Sequence, residues 1–399
     1  ATSAFAQSTV SITGNVDLGY RSVTQKGTTN ADVATSNKTS NIAGNGAEGW
    51  TSSQVTLKVV EDMGNGTTAG YTNEMNLTSF GAGADNANSS LGTTRQSFVS
   101  LSNPNNGELR LGYQYTLEDQ IQGGVGRATP TGNVGGRVQN FAFSVNPAAA
   151  ASTVEGTGTL TSGHITRANA FQYASPVMSG FQGLVQYAKS ADKQTYNVTT
   201  INNENEGKLT AFAVKYSQGP LNLGLSHQTV KSVSDKAAAA GTNGALANSG
   251  LDTKVKDTNF AANYDFGVAK VFFNKFTRTL NVNNAESTFN GNLLTQSMGA
   301  FETGGSLKRT GHDLGVSAPF GKTTLFAAVG SGKYKADYDG SGVTLDAKAK
   351  ARLLGATYDL SKRTSLNAYY SVYKATGEED AVGASAKRTN IGAGLRHQF

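Results

Sequence analysis

Apolar and polar residues alternate strictly over the final stretch of the chain. One face at period two carries mainly apolar and aromatic side chains, at Ile391, Ala393, Leu395, His397 and Phe399. The other face carries small or polar residues, at Asn390, Gly392, Gly394, Arg396 and Gln398. Successive side chains of a β-strand point to opposite faces, so this pattern predicts a strand with one apolar face and one polar, water-facing face.

The same alternation recurs along the rest of the chain. It begins at residues 9–21, where one face carries Val10, Ile12, Gly14, Val16, Leu18 and Tyr20. It returns around Val55, Leu223, Phe260 and Tyr370. We count about sixteen strands, with short turns at one rim and long loops at the other.

The connections between these strands are of two kinds. Asn65-Gly66 and the segment 103–107 predict tight hairpins. A polar loop of roughly twenty-five residues is expected after the first strand. No segment shows a convincing helical period, and the Ala-rich stretches 147–151 and 236–240 are interpreted as low-complexity insertions in loops.

The character of the second face favours a transmembrane β-barrel. An amphipathic edge strand of a soluble sheet would explain the last segment alone. A soluble sandwich, however, needs mixed large apolar residues at high density, whereas here the second face is built from Ser, Thr, Asn, Gly and Gln. Such residues suit a water-filled lumen. No run of eighteen apolar residues is present, so the sequence predicts no transmembrane helix.

Composition excludes several classes of function. The 399 residues contain no Cys, which excludes thiol catalysis and Cys-ligated metals. Hydrophobic residues make up 37% and the mean hydropathy is −0.34, both compatible with strands that are apolar only at alternate positions. The net charge of +6 comes from scattered Lys and Arg without an aromatic platform, so no nucleic-acid partner is expected.

No constellation of catalytic or metal-binding residues stands out. The four His residues, His164, His227, His312 and His397, lack the spacing of a helical metal pair. His227 beside a Ser on a neighbouring strand could imitate the site of a barrel hydrolase, but an interfacial His is the simpler interpretation. We therefore predict no enzymatic activity, no metal and no cofactor.

The beginning of the sequence resembles the end of a secretion signal. Ala4-Phe5-Ala6 fits the small-residue cleavage pattern, which would place the mature start near Gln7. Residues 1–6 are therefore expected to be a remnant of the signal peptide, and residues 7–399 a single barrel domain.

Three blocks of residues resemble the general diffusion porins of Gram-negative outer membranes, particularly the β-proteobacterial type. The first block is 95–102 followed by 107–116, the second is 166–176 followed by 178–188, and the third is 358–364. With the opening and closing strands, the resemblance runs along the whole chain in order.

This resemblance implies an all-β fold, a sixteen-stranded antiparallel barrel that assembles as a homotrimer. Its third loop, expected at residues 117–163, would fold inward as a constriction. Arg95 and Arg167 would stand on the basic ladder opposite that loop, while Gln54 and Asn15 occupy positions where relatives often place Arg or Lys. The implied partners are small hydrophilic solutes and ions, outer-membrane lipid and lipopolysaccharide, and the barrel-insertion machinery, which would recognise Phe399.

The distribution of charge predicts a passive channel with a weak preference for anions. Strand parity places Lys58 and Arg110 on the lumen face beside the ladder. The expected constriction loop has its acids near its ends, at Glu118, Asp119 and Glu155, whereas its centre carries Arg127 and Arg137. Two alternatives remain open, a substrate-specific channel for organic acids or sugars and a barrel that serves mainly as a surface adhesin.

Overall fold

The computed structural model describes residues 8–28, 34–44, 53–77, 94–126, 167–196, 201–234, 251–285, 304–337, 340–342, 344–378 and 385–399. Several sequence predictions fall outside these ranges. They concern the signal remnant at 1–6, the Ala-rich stretches 147–151 and 236–240, and most of the expected constriction loop.

The described residues form seventeen strand segments and one helix. In chain order these are β1 (Ser8–Thr28), β2 (Ala34–Gly44), β3 (Gln54–Gly64), β4 (Thr67–Asn76), β5 (Thr94–Asn103), β6 (Gly107–Tyr115), α1 (Leu117–Gly124), β7 (Arg167–Ala174), β8 (Phe181–Tyr196), β9 (Ile201–Gln218), β10 (Leu221–Ser234), β11 (Leu251–Asp265), β12 (Lys270–Ala285), β13 (Ser306–Phe320), β14 (Thr323–Asp337), β15 (Thr344–Asp359), β16 (Thr364–Glu378) and β17 (Ser385–Gln398). Among the described residues, no helix is both long and apolar enough to cross a bilayer.

Antiparallel pairing closes these segments into a sixteen-membered barrel. The segments β2 and β3 pair with successive parts of the same edge of β1, through Tyr20↔Ile42 and Ile12↔Leu57, so together they occupy one position in the barrel. The other edge of β1 pairs with β17, as in Leu18↔Leu395, which closes the sheet on itself. The predicted number of strands is therefore confirmed.

The exposure of side chains confirms the assignment of the two faces. Ile12 and Ile391 are exposed on the outer face, at 63% and 57% of their maximum surface. On the inner face Asn390 is fully buried and donates from Nδ2 to Ser371 Oγ at 2.9 Å. Lipid solvates the apolar outer face and the polar groups are left to the interior, as expected for a barrel in a membrane.

Short turns at one rim follow the predicted chemistry. The β3–β4 hairpin passes through Asn65 and Gly66, whose φ angles are 53° and 73°. The β5–β6 hairpin ends at Gly107, with φ 84°, where a Cβ would lie 2.1 Å from the carbonyl oxygen of Ala174. Both sites require a left-handed backbone, which Asn and Gly tolerate best.

Two elements contradict the sequence predictions. The expected polar loop after the first strand contains β2, because β1 extends to Thr28 and Ala34–Gly44 pairs with it. A helix, α1, begins directly after β6, although no helical period was recognised. Both segments are polar on more than one side, so hydrophobic periodicity predicts neither of them.

The closing strand ends against β1. The backbone N–H of Phe399 donates to Gly14 O at 3.0 Å, and Gly14 N–H donates back to Phe399 O at 3.0 Å. A Cβ at residue 14 would lie 2.5 Å from Phe399 Cζ, so the glycine makes room for the aromatic ring. Phe399 therefore takes part in closing the barrel on its outer face.

Candidate pore constriction

A register shift in the β4–β5 pair brings Arg95 to a polar cluster at the start of β5. The shift falls between Glu74 and Met75. Arg95 Nε lies 2.5 Å from Glu74 Oε1, and its Nη1 donates to Asn76 Oδ1 at 3.0 Å. Glu74 and Asn76 have the lumen parity of β4, since they lie opposite Thr56 and Gln54. The arginine is therefore fixed by lumen-facing groups.

Tyr115 joins this arginine to a second one. Its hydroxyl accepts a hydrogen bond from Arg95 Nη2 and another from Arg167 Nη2, the latter at 3.3 Å. The same hydroxyl donates to Glu74 Oε1 at 3.1 Å. The guanidinium carbon of Arg167 lies 4.7 Å from the centroid of the tyrosine ring, within range of a cation–π contact. We call Arg95, Arg167, Tyr115 and Glu74 the arginine cluster.

Sequence reasoning placed Arg95 and Arg167 near the pore but missed Glu74 and Tyr115. Glu74 lies in β4, whose sequence, TTAGYTNEMN, shows no clear apolar alternation that would assign its lumen face. Gln96 Nε2 also donates to Glu74 Oε2 at 3.1 Å, so both carboxylate oxygens are engaged. Glu74 thus bonds directly to Arg95 and is linked to Arg167 only through the Tyr115 hydroxyl. The four residues of the cluster together carry two positive charges and one negative charge.

Helix α1 lies on the inner wall formed by β8–β11. At its start, Leu117 N–H donates to Gln186 Oε1 at 3.3 Å, and Thr116 Oγ1 caps the N–H of Asp119 at 3.4 Å. At its end, Asn263 Nδ2 donates to Val125 O at 2.9 Å. The described start of the loop after β6 thus crosses to the inner wall, and residues 127–166 lie outside the described ranges.

Small residues on the wall create the space for this helix. A Cβ at residue 224 would lie 2.9 Å from Ile121, so β10 needs glycine where α1 packs. Leu117 and Ile121 are both fully buried against the wall. Apolar packing and polar contacts at both ends therefore hold a helix of only 8 residues, too short to be stable alone.

Glu118 is the charged anchor of this helix. Its Oε1 lies 3.8 Å from Arg278 Nη2, and Arg278 Nε bonds to Asp257 Oδ1. Gln228 Nε2 donates to Asp257 Oδ2 at 3.0 Å. The Arg278, Glu118 and Asp257 side chains are no more than 4% exposed. We call these three residues the helix anchor, in which one arginine serves two carboxylates.

Four other residues that the sequence placed at the pore lie elsewhere on the inner face: Arg110, Lys58, Asn15 and Gln54. Arg110 lies about five residues, or about 16 Å, nearer the short-turn rim than Arg95, Tyr115 and Arg167 of the arginine cluster. It pairs with Glu108 at 2.7 Å and stacks over Phe98. Lys58 is exposed opposite Ser11, and Asn15 lies directly opposite Gln54. Arg127 and Arg137 lie outside the described residues.

Further charged residues line the inner face opposite the arginine cluster. Counted around the barrel, β13 lies eight positions from β5. It contributes Arg309 and Asp313, which are both buried. Near the closing seam, Arg21 and Arg388 are also buried and face inward with Asp17. Sequence analysis did not single out these residues, although their inward parity could have been read from their strands.

Comparison with known proteins agrees with this architecture. The family model described as Gram-negative porin matches residues 1–378. The chain is 29% identical over 411 aligned residues to outer membrane porin protein 32 of Delftia acidovorans, covering 99% of this chain and 95% of that protein.

Solved porin structures share the fold. The anion-selective porin from Comamonas acidovorans superimposes with a TM-score of 0.59 at 22% identity, over 98% of this chain and 100% of that chain. The trimer form of OmpT from Vibrio cholerae gives a TM-score of 0.56 at 15% identity, over 98% of this chain and 99% of that chain. The chain forms a closed sixteen-membered barrel with an apolar outer face and charged inner walls, and the family model matches nearly its whole length. It therefore belongs to the Gram-negative porins, the non-enzymatic channels of the outer membrane.

Proposed function

We propose that this porin is a passive diffusion channel for small hydrophilic solutes and ions with a weak preference for anions. The observation that carries this proposal is the arginine cluster, which holds two guanidinium groups and a single carboxylate, joined through the Tyr115 hydroxyl. The Comamonas acidovorans porin, which has the same fold, is described as anion-selective.

The physical basis is an excess of fixed positive charge beside a water-filled path. Fixed charges that line a narrow pore raise the local concentration of oppositely charged ions. The Debye length is about 8 Å at physiological salt, so charges close to the path act on passing ions while those on outer loops are screened. At low salt, where screening is weak, a unit charge about 8 Å away contributes about 0.5 kcal/mol in water, which corresponds to about a twofold change in local anion concentration.

The loop of residues 117–163 acts as the constriction in this proposal. The helix anchor holds the start of the loop on the inner wall, while Tyr115, two residues before α1, engages both arginines. The acids Glu118 and Asp119 are buried at this root, and Glu118 is engaged with Arg278. They therefore oppose the arginine cluster less than free carboxylates in the lumen would.

Selectivity in a KCl gradient tests this proposal. In a planar bilayer, the reversal potential should have the sign of chloride permeation. Arg95→Gln or Arg167→Gln should lower the chloride-to-potassium permeability ratio about twofold, and Glu74→Gln should raise it by a similar factor. Lys322→Gln, in a short turn outside the lumen, is the matched control and should leave the ratio unchanged. Potassium preference of the unmodified channel at low salt would refute anion preference.

A homotrimer and a role of Phe399 in assembly complete the proposal. The trimer form of OmpT supports the first, and the paired backbone bonds between Phe399 and Gly14 support the second. The barrel-insertion machinery would act on the closing strand while this seam forms.

Deletion of Phe399 should lower the amount of trimer in the outer membrane and leave single-channel conductance unchanged. The deletion removes two backbone hydrogen bonds, together about 2 kcal/mol, and the ring that covers Gly14. Gln398→Ala, one residue away, is the control. A normal yield of trimer from the truncated chain, measured by heat-modifiable gel mobility, would contradict this role.

The arginine cluster also gives an observable basis for the alternative of a substrate-specific channel. Two guanidinium groups on one tyrosine could bind the carboxylates of an organic acid. Conductance blocked by a dicarboxylate at millimolar concentration would favour this alternative, whereas ohmic conductance without block favours general diffusion.

A further inference from the structure

Three aromatic rings on the inner wall lie over glycines of the next strand. The residues in each pair are directly opposite one another in register: Phe276 and Gly311, Phe326 and Gly355, and Tyr369 and Gly392. A Cβ on these three glycines would lie 2.6 Å, 2.2 Å and 2.3 Å from a carbon of the opposite ring. Each ring thus occupies the space that a side chain would fill. We call them the ring–glycine pairs.

The rings are buried and follow one direction around the barrel. All three are no more than 4% exposed. Tyr369 also lies opposite Gly355 on its other side, but the ring of Phe326 covers that glycine. Glycine inside a strand normally weakens it, because it has no side chain to pack and loses much backbone freedom on folding. An aromatic ring laid across the glycine restores the packing.

The pairs occur where the connection between two strands does not fix their register. The strands β12–β13, β14–β15 and β16–β17 are joined through residues 286–305, 338–343 and 379–384, each longer than a typical hairpin loop. Tight turns at 321–322 and 360–363 join β13–β14 and β15–β16. A tight turn determines which residues are opposite each other. In the other three pairs, the strands themselves must do so.

Hydrophobic alternation alone does not choose the register. A slip by one residue turns the apolar side chains to the lumen, whereas a slip by two leaves both faces unchanged. In β12–β13 a slip by two would place Phe276 opposite Arg309 or Asp313, which are both buried. In β14–β15 it would place Phe326 opposite a residue with a side chain in either direction. Only the observed register offers these two rings a glycine.

The last pair relies on a second contact. A slip by two in one direction would move Tyr369 from Gly392 to Gly394, where the ring again meets a glycine. The same slip would break the bond from Asn390 Nδ2 to Ser371 Oγ, which measures 2.9 Å in the observed register. The ring and this hydrogen bond together distinguish the two registers.

Register also determines which charges of the inner wall are neighbours. Arg278 of the helix anchor lies opposite Arg309 in the observed register. After a slip by two, Arg309 would lie about 7 Å away along its strand. The positions of the lumen charges on β13 relative to α1 therefore depend on the pairing of Phe276 with Gly311.

We infer that the ring–glycine pairs set the register of β12–β13, β14–β15 and β16–β17, and thereby position the charged residues of this part of the inner wall. Phe276, Phe326 and Tyr369 are thus positioning residues. The inference rests on the geometry of the strands and is independent of the ion preference of the pore.

Disulfide trapping of the β16–β17 register tests this inference. The chain contains no Cys, so two introduced cysteines give an unambiguous signal. Val372→Cys/Thr389→Cys reports the observed register, in which the two positions are opposite. Val372→Cys/Ile391→Cys reports the slipped register and is diagonal in the observed one, too far apart for a disulfide. Full-length protein refolded in lipid vesicles is oxidised with copper phenanthroline, and mass spectrometry measures each cross-linked fraction.

The ratio of the observed-register cross-link to the slipped cross-link is the readout. Tyr369→Ala should lower this ratio about fivefold, because the ring no longer favours Gly392. Tyr369→Phe keeps the ring and should keep the ratio. Tyr373→Ala is the matched control, since it removes an equally buried ring from the same face of β16 that lies opposite Arg388 rather than a glycine. It should leave the ratio unchanged.

A second variant reaches the same contact from the other strand. Gly392→Ala blocks the place of the ring and should lower the ratio as Tyr369→Ala does, by favouring Gly394. An unchanged ratio in both variants would overturn the inference. A drop in Tyr373→Ala as large as that in Tyr369→Ala would assign the effect to general loss of packing, and a drop in Tyr369→Phe would assign it to the hydroxyl; either result would also overturn it.

Discussion

Replacing Arg278 with glutamine should lower the free energy of unfolding by about 3–5 kcal/mol, because it leaves the buried carboxylates of Glu118 and Asp257 without their shared cation. Helix α1 should then be held less firmly on the inner wall, since Glu118 and Asp257 lose the cation between them while the apolar packing and the contacts with Gln186 and Asn263 remain. We expect lower midpoints in urea unfolding of the refolded barrel and larger current fluctuations in single-channel recordings.

Variants with neutral side chains at residues 118 and 257 distinguish the loss of charge balance from the loss of packing around Arg278. Glu118→Gln alone should cost less than Arg278→Gln, because Arg278 keeps Asp257. The triple variant Arg278→Gln/Glu118→Gln/Asp257→Asn should recover part of the loss, since all three side chains are then neutral. Arg352→Gln, on the exposed outer face, is the control for removing one arginine. If Arg278→Gln unfolds at the same urea concentration as Arg352→Gln, the anchor contributes nothing to stability.

Arginine at Leu395 should destabilise the inserted barrel by about 2–4 kcal/mol, because this position faces lipid. Leu395 is 46% exposed on the outer face and lies between Leu18 and Leu366 in the register of the seam, well inside the apolar band. A charge there must be taken out of water or must distort the bilayer around it. Unfolding titrations in lipid vesicles measure the loss.

The neighbouring position provides a matched comparison. Arginine at Gly394 projects into the lumen, where water solvates it, so the cost should be far smaller. Leu223 and Asn222 form a second pair with the same parities on β10. Equal losses of unfolding free energy at the two positions of either pair would contradict the assignment of the strand faces.

Strand alternation predicted the barrel and its faces because the period of two is strict and lipid tolerates few exceptions. The stretch 271–275 was ambiguous in sequence, with Val271, Phe272 and Phe273 in a row. Pairing with β11 resolves it, since Val271 lies opposite the exposed Tyr264. Neither β2 nor β4 has a distinctly apolar face. The sequence alone therefore predicted neither the strand β2 nor the lumen-facing position of Glu74 on β4.

Helix α1 escaped prediction for a different reason. Its eight residues, LEDQIQGG, end in two glycines and would not form a stable helix alone. Its stability comes from Gln186, Asn263 and Arg278, which are distant in sequence. The charged residues of the lumen share this difficulty: parity shows which way a side chain faces, but only register and the crossing of the loop show which charges meet.

The docking of α1 also has a consequence for channel engineering. The described contacts that hold the loop root come from residues 115–126 and the barrel wall, and the chain rejoins the sheet at Arg167. Gly126 and Arg167 are thus natural splice points, between which shorter or longer inserts could be grafted. If this loop is the constriction, as proposed above, such chimaeras should change the pore width while the arginine cluster and the helix anchor stay constant. Size exclusion and charge preference could then be varied one at a time in a single scaffold.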